Sequence, residues 1–166
     1  MRVNVLCENS TKANVGGNYF INSGKDMREF IDYVGHPMVH GCWDTGHANC
    51  EGNQYDDIVA IGDELYAIHY NDNHGAKDEH IAMFLGTLNH DEVLTALVDI
   101  GFKGCFTLEC DSSLVKYDQW TGRRRRFRDE SELKLREPQL FMQRHIEAMM
   151  YDTAEWMLKT YGLFEE

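Results

Sequence analysis

The stretch VHGCWDTGHAN, residues 39–49, joins a short apolar run to an abrupt polar turn. Residues 39–43 have the length of a strand and no polar alternation, which is typical of a parallel strand buried on both faces. Asp44 follows this run at once, and His47 comes three residues later. Similar runs at residues 3–7, 65–68 and 105–108 are followed by Glu8, His69 and Glu109.

Helical patterns separate these runs. Ser23 with Asp26 predicts a capping box, and Gly35 with Pro37 predicts the end of that helix. A weaker helix is predicted over 55–63, another from Asn89 to Gly101, and a last one from Pro138 to about Tyr161. On the last helix we expect the inner face to carry Met142, Ile146, Met149, Met150 and Met157.

The order of elements is a strand followed by a helix, four times over. Such alternation predicts an α/β fold with a parallel sheet and right-handed crossovers. Because a complete (β/α)8 barrel takes about 250 residues, four units in 166 residues predict half of such a TIM barrel. A flat doubly wound sheet is the alternative. With two prolines and no low-complexity tract, residues 1–166 are expected to form a single domain.

Composition limits the partners of the chain. A formal net charge of −12 disfavours nucleic acid and anionic lipid, so a small molecule or another protein is expected. No apolar run reaches the roughly 18 residues of a membrane helix, and no signal-peptide pattern is present. Five cysteines without a CxxC pair disfavour a disulfide framework and predict a cytoplasmic location. Cys7, Cys42 and Cys105 lie in apolar runs, where a free thiol is expected to behave as a small hydrophobe. The basic run at residues 123–128 is interpreted as a solvated loop, with contact to nucleic-acid phosphates or a sugar phosphate as the alternative.

The four residues at the strand ends form a candidate metal site. In a parallel barrel the carboxyl ends of the strands meet at one mouth. We therefore expect Glu8, Asp44, His69 and Glu109 to converge there. Three carboxylates and one imidazole suit one divalent ion such as Mn²⁺, Mg²⁺, Co²⁺ or Zn²⁺.

A second set of polar residues lies beside the first in the sequence. His47 follows Asp44 by three positions, and Asp78 and His80 lie in the loop after His69. These side chains are candidates for orienting the ligands, for binding substrate or for holding a further ion. Exposed loop residues without such a role are the remaining interpretation.

Three segments carry a resemblance to a known family. Residues 42–49 (CWDTGHAN), 68–73 (IHYNDN) and 106–109 (FTLE) resemble the xylose isomerase-like TIM barrels, a superfamily of sugar isomerases, epimerases and multi-zinc apurinic endonucleases. The resemblance covers about residues 3–110 and corresponds to strands five to eight of that barrel, its C-terminal half. Within the loop after His80, residues 81–86 depart from the family pattern.

The resemblance implies a chemistry for the candidate site. Glu8, Asp44, His69 and Glu109 would hold the catalytic metal, and Glu8 with Glu109 would act as the acid/base pair. The expected function is isomerisation or epimerisation of a sugar or sugar phosphate through a metal-stabilised cis-enediolate. His47, Asp78 and His80 would bind substrate.

Two other functions remain open. A multi-zinc apurinic endonuclease would use the same residue types, although the negative charge opposes DNA binding. A non-catalytic fragment of the family would keep the fold without a complete pocket. Because a lone half-barrel leaves two open strand edges, we expect the chain to form a homo-oligomer.

Overall fold

A computed structural model of the chain describes residues 3–15, 19–113 and 140–164. Its centre is one sheet of four strands in the order β1-β2-β3-β4, and each neighbouring pair is parallel. The sequence prediction of four successive parallel units is confirmed. The strands are β1 (Val5–Glu8), β2 (Val39–Asp44), β3 (Leu65–Tyr70) and β4 (Cys105–Leu108).

The described helices connect or follow the strands. They are α1 (Lys12–Val15), α2 (Gly24–Val34), α3 (Thr45–Asn49), α4 (Tyr55–Ile61), α5 (His90–Asp99) and α6 (Leu140–Thr160). The predicted capping box at Ser23 is present, and Gly35 ends α2 in the left-handed conformation. The Asn89 side chain caps α5 as its sequence position predicts.

Several predicted boundaries shift in the structure. The first strand begins at Val5 rather than at residue 3, and the third extends two residues further, to Tyr70. The helix predicted over 55–63 is α-helical only to Ile61, after which Gly62–Glu64 forms a 3-10 turn. The predicted start of the last helix, Pro138, lies outside the described residues, and so does the basic run at 123–128.

The core lies between one face of the sheet and the helices. Trp43, Ile68 and Tyr70 of the central strands are completely buried. They belong to one cluster with helix residues that include Met27, Ile58, Ile61, Leu94 and Leu97. Burying each side chain of this size contributes about 1.5–3 kcal/mol, so this layer holds the strand ends in place.

The expected inner face of the last helix is partly wrong. Met150 and Met157 are buried, but Met149 is 51% exposed and Met142 is 37% exposed. Successive helix residues are rotated by about 100°, so a narrow buried stripe that contains Met150 leaves its neighbour Met149 outside. Residues seven apart share a face, which places Met142 with Met149 on the side away from the core.

Both outer strands have a partner on only one side within the described residues. In β1, Val5 is 62% exposed. In β4, which pairs with β3 alone among the described strands, Cys105 is exposed and so does not pack as the small hydrophobe expected from its apolar run. The cysteines are all free. None of the described helices is both long and apolar enough to cross a membrane.

Candidate metal centre

The strands bring four predicted residues together at one edge of the sheet. Glu8 and Asp44 are the last residues of their strands, His69 is the last but one of β3, and Glu109 directly follows β4. One ligand atom from each lies within 4.8 Å of the other three. The Nδ1 atom of His69 is 3.1 Å from Glu8 Oε1 and 3.2 Å from Glu109 Oε2. We call these four residues the acidic group.

Asp44 is the fixed member of the acidic group. Its side chain is fully buried, and Oδ1 accepts a hydrogen bond from the backbone N–H of His47 at 2.6 Å, which caps α3. The other oxygen accepts from Asn71 Nδ2 at 2.9 Å. Burial raises the pKa of Asp44 to about 7; His47 lowers this pKa, whereas Glu109 raises it.

The acidic group fits a divalent cation. The Oε2 atom of Glu109 is buried and, although it lies 3.2 Å from His69 Nδ1, it accepts no hydrogen bond from the described residues. A cation next to the three carboxylates would remove their mutual repulsion and the cost of burying Asp44 as a charged group. Oxygen donors with a single imidazole suit Mn²⁺, Mg²⁺, Co²⁺ or Zn²⁺.

The other three predicted residues also come together. Asp78 Oδ2 lies 3.1 Å from His47 Nε2 and 3.0 Å from His80 Nε2, and it accepts from Asn14 Nδ2 at 2.8 Å. One ligand atom from each of His47, Asp78 and His80 lies within 4.8 Å of the other two. These three residues, here called the histidine group, could therefore hold a second ion or a polar substrate group.

In the histidine group, the negative charge of Asp78 and the positive charges of the two histidines stabilise each other. Burial alone would raise the pKa of Asp78, but hydrogen bonds from His47, His80 and Asn14 hold it well below its usual range. Burial lowers the pKa of His47, yet Asp78 and Asp44 outweigh burial and raise it to about 9. The hydrogen bond to Asp78 raises the pKa of His80 to about 9.

The two groups adjoin through His47. Its Nδ1 atom is 3.6 Å from Asp44 Oδ1 and 3.8 Å from Glu8 Oε1, while its Nε2 atom faces Asp78. All of the predicted site residues thus lie in one contiguous patch at the carboxyl edge of the sheet. A substrate that contacts the histidine group would also be close to the acidic group.

The loop that carries Asp78 and His80 is tied down at both ends. Asp72 and Ile81 form an antiparallel bridge with two backbone hydrogen bonds. Asp72 is fully buried, and its carboxylate accepts three backbone N–H bonds from the loop. His80 has a positive φ of 51°, an uncommon conformation for a residue with a side chain, which such anchoring can sustain.

Three asparagines of the site were not predicted. Asn9, Asn14 and Asn71 contact members of the two groups, and Asn9 and Asn71 are buried. Asn9 follows Glu8 directly, so its place beside a candidate ligand was the available signal. A polar residue after a strand is common in loops, however, and its burial is visible only in the fold.

The parallel sheet and the acidic group at its carboxyl edge place the chain among α/β proteins with a candidate metal site at the strand ends. Residues 2–138 match the family model described as xylose isomerase-like TIM barrel. The chain belongs to this family, as the sequence motifs indicated.

Solved structures support the same fold. D-psicose 3-epimerase from Clostridium cellulolyticum H10 is 20% identical with a TM-score of 0.64, and the match covers 92% of this chain and 48% of that one. An L-ribulose 3-epimerase is 16% identical with a TM-score of 0.62, over 97% and 50% of the two chains. A xylose isomerase domain protein from Alicyclobacillus acidocaldarius gives a TM-score of 0.66 at 17% identity, over 96% and 52%. The prediction of half a TIM barrel is confirmed.

The matches to sequence relatives cover a smaller part of this chain. An uncharacterised protein of Methanocaldococcus jannaschii is 37% identical over 70 residues, which are 40% of this chain and 24% of that protein. Another, from Sinorhizobium fredii, is 30% identical over 102 residues, or 61% of this chain and 31% of that protein. The chain thus spans about a third or less of these relatives and about half of the solved structures.

Proposed function

We propose that this chain carries the metal-binding part of a sugar isomerase or epimerase. The acidic group Glu8, Asp44, His69 and Glu109 would hold one divalent ion, which when bound polarises the carbonyl and hydroxyl of a ketose. The family and the sugar 3-epimerases among the similar structures support a sugar or sugar phosphate as substrate.

One observation carries the assignment of acid and base. The side chains of Glu8 and Glu109 are 35% and 38% exposed, and both contact the imidazole of His69. Asp44, in contrast, is completely buried. Only the two glutamates can therefore reach a substrate that enters from the mouth. Asp44 is left with the role of a ligand.

One glutamate would take a proton from the sugar and the other would give one back. The carboxylate of one removes the proton from the carbon next to the carbonyl, and the electron pair moves into a cis-enediolate of the sugar. The other glutamate, protonated, returns a proton to the opposite face of that carbon or to the neighbouring carbon. The histidine group His47, Asp78 and His80 would hold sugar hydroxyls during this exchange.

Hydrogen exchange at the substrate tests the proposal. The chain is incubated with Mn²⁺ and a ketohexose in D2O, and deuterium at C3 is followed by NMR while chromatography detects the epimer. Glu109→Gln should lower the exchange rate by about 10²–10⁴-fold, the usual contribution of a general acid or base. Glu29→Gln, an exposed glutamate of α2, is the matched control and should exchange at the unchanged rate. Equal exchange in both variants would refute the acid/base assignment.

A second candidate function is metal-dependent hydrolysis of abasic DNA. The histidine group favours it, because three side chains that could hold a second ion lie next to the acidic group. The net charge of −12 opposes it. Two bound Zn²⁺ ions per chain together with nicking of an abasic duplex would support hydrolysis, and one ion with C3 exchange would support the isomerase. A chain that binds no metal would be a non-catalytic member of the fold.

The proposal includes self-association of the chain. Within the described residues, β1 and β4 each offer an unpaired edge, and exposed edges of this kind favour pairing with another chain. Light scattering at micromolar concentration should give at least twice the mass of one chain. A monomeric mass would remove the homo-oligomer from the proposal.

A further inference from the structure

Asn9 makes paired hydrogen bonds to the backbone of Asp44. Its Nδ2 donates to the Asp44 carbonyl at 3.0 Å, and its Oδ1 accepts from the Asp44 N–H at 2.6 Å. The regular pairing of β1 with β2 ends at Glu8 and Cys42. The Asn9 amide, which is only 1% exposed, continues that pairing up to the residue that carries the buried carboxylate.

The main chain of the same asparagine holds the ring of His47. The Nδ1 atom of His47 lies 2.9 Å from the Asn9 carbonyl oxygen. Because carbonyl and carboxylate oxygens only accept, Nδ1 donates to Asn9 and Nε2 donates to Asp78 at 3.1 Å. Asn9 thus contacts one member of the acidic group and one member of the histidine group.

The carboxylate of Asp44 receives its own donors from two other directions. The backbone N–H of His47 binds one oxygen at 2.6 Å, and Asn71 Nδ2 binds the other at 2.9 Å. Asn9 fixes the main chain of Asp44 while these donors fix its side chain. Displacement of Asn9 would therefore move Asp44 and His47 together.

We propose that Asn9 is a positioning residue that sets the spacing between the acidic group and the histidine group. Its side chain holds the main chain of Asp44, and its carbonyl orients the ring of His47. The catalytic consequence rests on the proposed function: a sugar held at His47 would be displaced from the two glutamates when Asn9 is changed.

Cobalt binding tests this role without an activity assay. Asn9→Ala should weaken Co²⁺ binding by about 10–100-fold, the usual effect of removing a residue that orients metal ligands, and should alter the visible spectrum of the bound Co²⁺. Asn49→Ala is the matched control, because among the described residues Asn49 Nδ2 bonds to Asn73 and Thr87 and to no member of either group. It should bind Co²⁺ with unchanged affinity and spectrum. Unchanged Co²⁺ binding in a folded Asn9→Ala chain would leave Asn9 with a purely structural role and overturn the proposal.

The contact between His47 and Asn9 gives a test that needs no Asn9 variant. In the metal-free wild-type chain, the Nδ1 proton of His47, assigned with a His47→Asn variant, should show a nuclear Overhauser effect to the backbone of Asn9. A His47 Nδ1 proton without this effect would refute the proposal even if Asn9→Ala fails to fold. Failure of the proposed function has a different signature: Co²⁺ binds and the His47–Asn9 contact is present, but no deuterium enters the sugar.

Discussion

A methyl group at position 46 should disrupt the candidate metal centre by displacing Asn71, which binds Asp44. Gly46 lies in α3, and a Cβ atom there would stand 1.8 Å from Asn71 Oδ1 and 2.7 Å from its Cγ. Asn71 is completely buried and its Nδ2 is bonded to Asp44, so moving its amide away from the new methyl group strains that bond. The same amide donates to Asp44 Oδ2, and a displaced Asn71 would therefore release the buried carboxylate.

The magnitudes of the competing effects decide whether Gly46→Ala raises or lowers the free energy of unfolding. Replacing a helical glycine by alanine gains up to about 1 kcal/mol from helix propensity. Overpacking a buried site costs about 1–3 kcal/mol. Loss of a hydrogen bond to a charged acceptor costs roughly 1.5–3 kcal/mol more. The unfavourable contributions win, and we expect the free energy of unfolding to fall by about 2–4 kcal/mol.

Urea unfolding of four chains measures this effect. The wild type, Gly46→Ala, Asn71→Ala and the double variant form a double-mutant cycle. Because the clash needs the Asn71 amide, Gly46→Ala should cost much less stability in the Asn71→Ala background. A Gly46→Ala chain as stable as the wild type, or the same cost in both backgrounds, would refute the packing argument.

The other predictions concern the histidine group and the loop anchor. His47→Asn should change KM and kcat of C3 exchange while leaving the metal content at one ion per chain; release of a stoichiometric ion would instead favour the two-metal hydrolase. Asp72→Asn should lower the free energy of unfolding by about 1–3 kcal/mol, because at least one of the three backbone N–H donors that bind its carboxylate loses its acceptor. Burial raises the pKa of Asp72, but its hydrogen bonds from His90 and the backbone outweigh burial and lower it. Stability from Asp72 is therefore complete above its unfolded pKa of about 3.9 and is lost as the pH falls through the lower folded value, so the wild type should lose more stability than Asp72→Asn between pH 4 and 2.

The sequence predicted the strands and the site residues from one regularity. Each apolar run ends next to a carboxylate or an imidazole, and parallel strands bring such ends to one edge. Asp44 illustrates this, since it directly follows the predicted apolar run and is the last residue of β2 in the structure. Convergence of the four strand ends therefore followed from topology alone.

Other features depended on contacts between distant parts of the chain. The burial of Asn9 arises from its pairing with Asp44, 35 residues away, which no local pattern encodes. The helices α1 and α3 are four and five residues long, too short to show a hydrophobic periodicity. Met149 was misplaced because the apolar composition of α6 does not reveal which face meets the core.

Anomalous diffraction from crystals grown with Mn²⁺ tests the central claim most directly. The account predicts one peak per chain at about 2.0–2.4 Å from an oxygen or nitrogen of Glu8, Asp44, His69 and Glu109. No peak within reach of these four side chains, or a peak only at the histidine group, would contradict it.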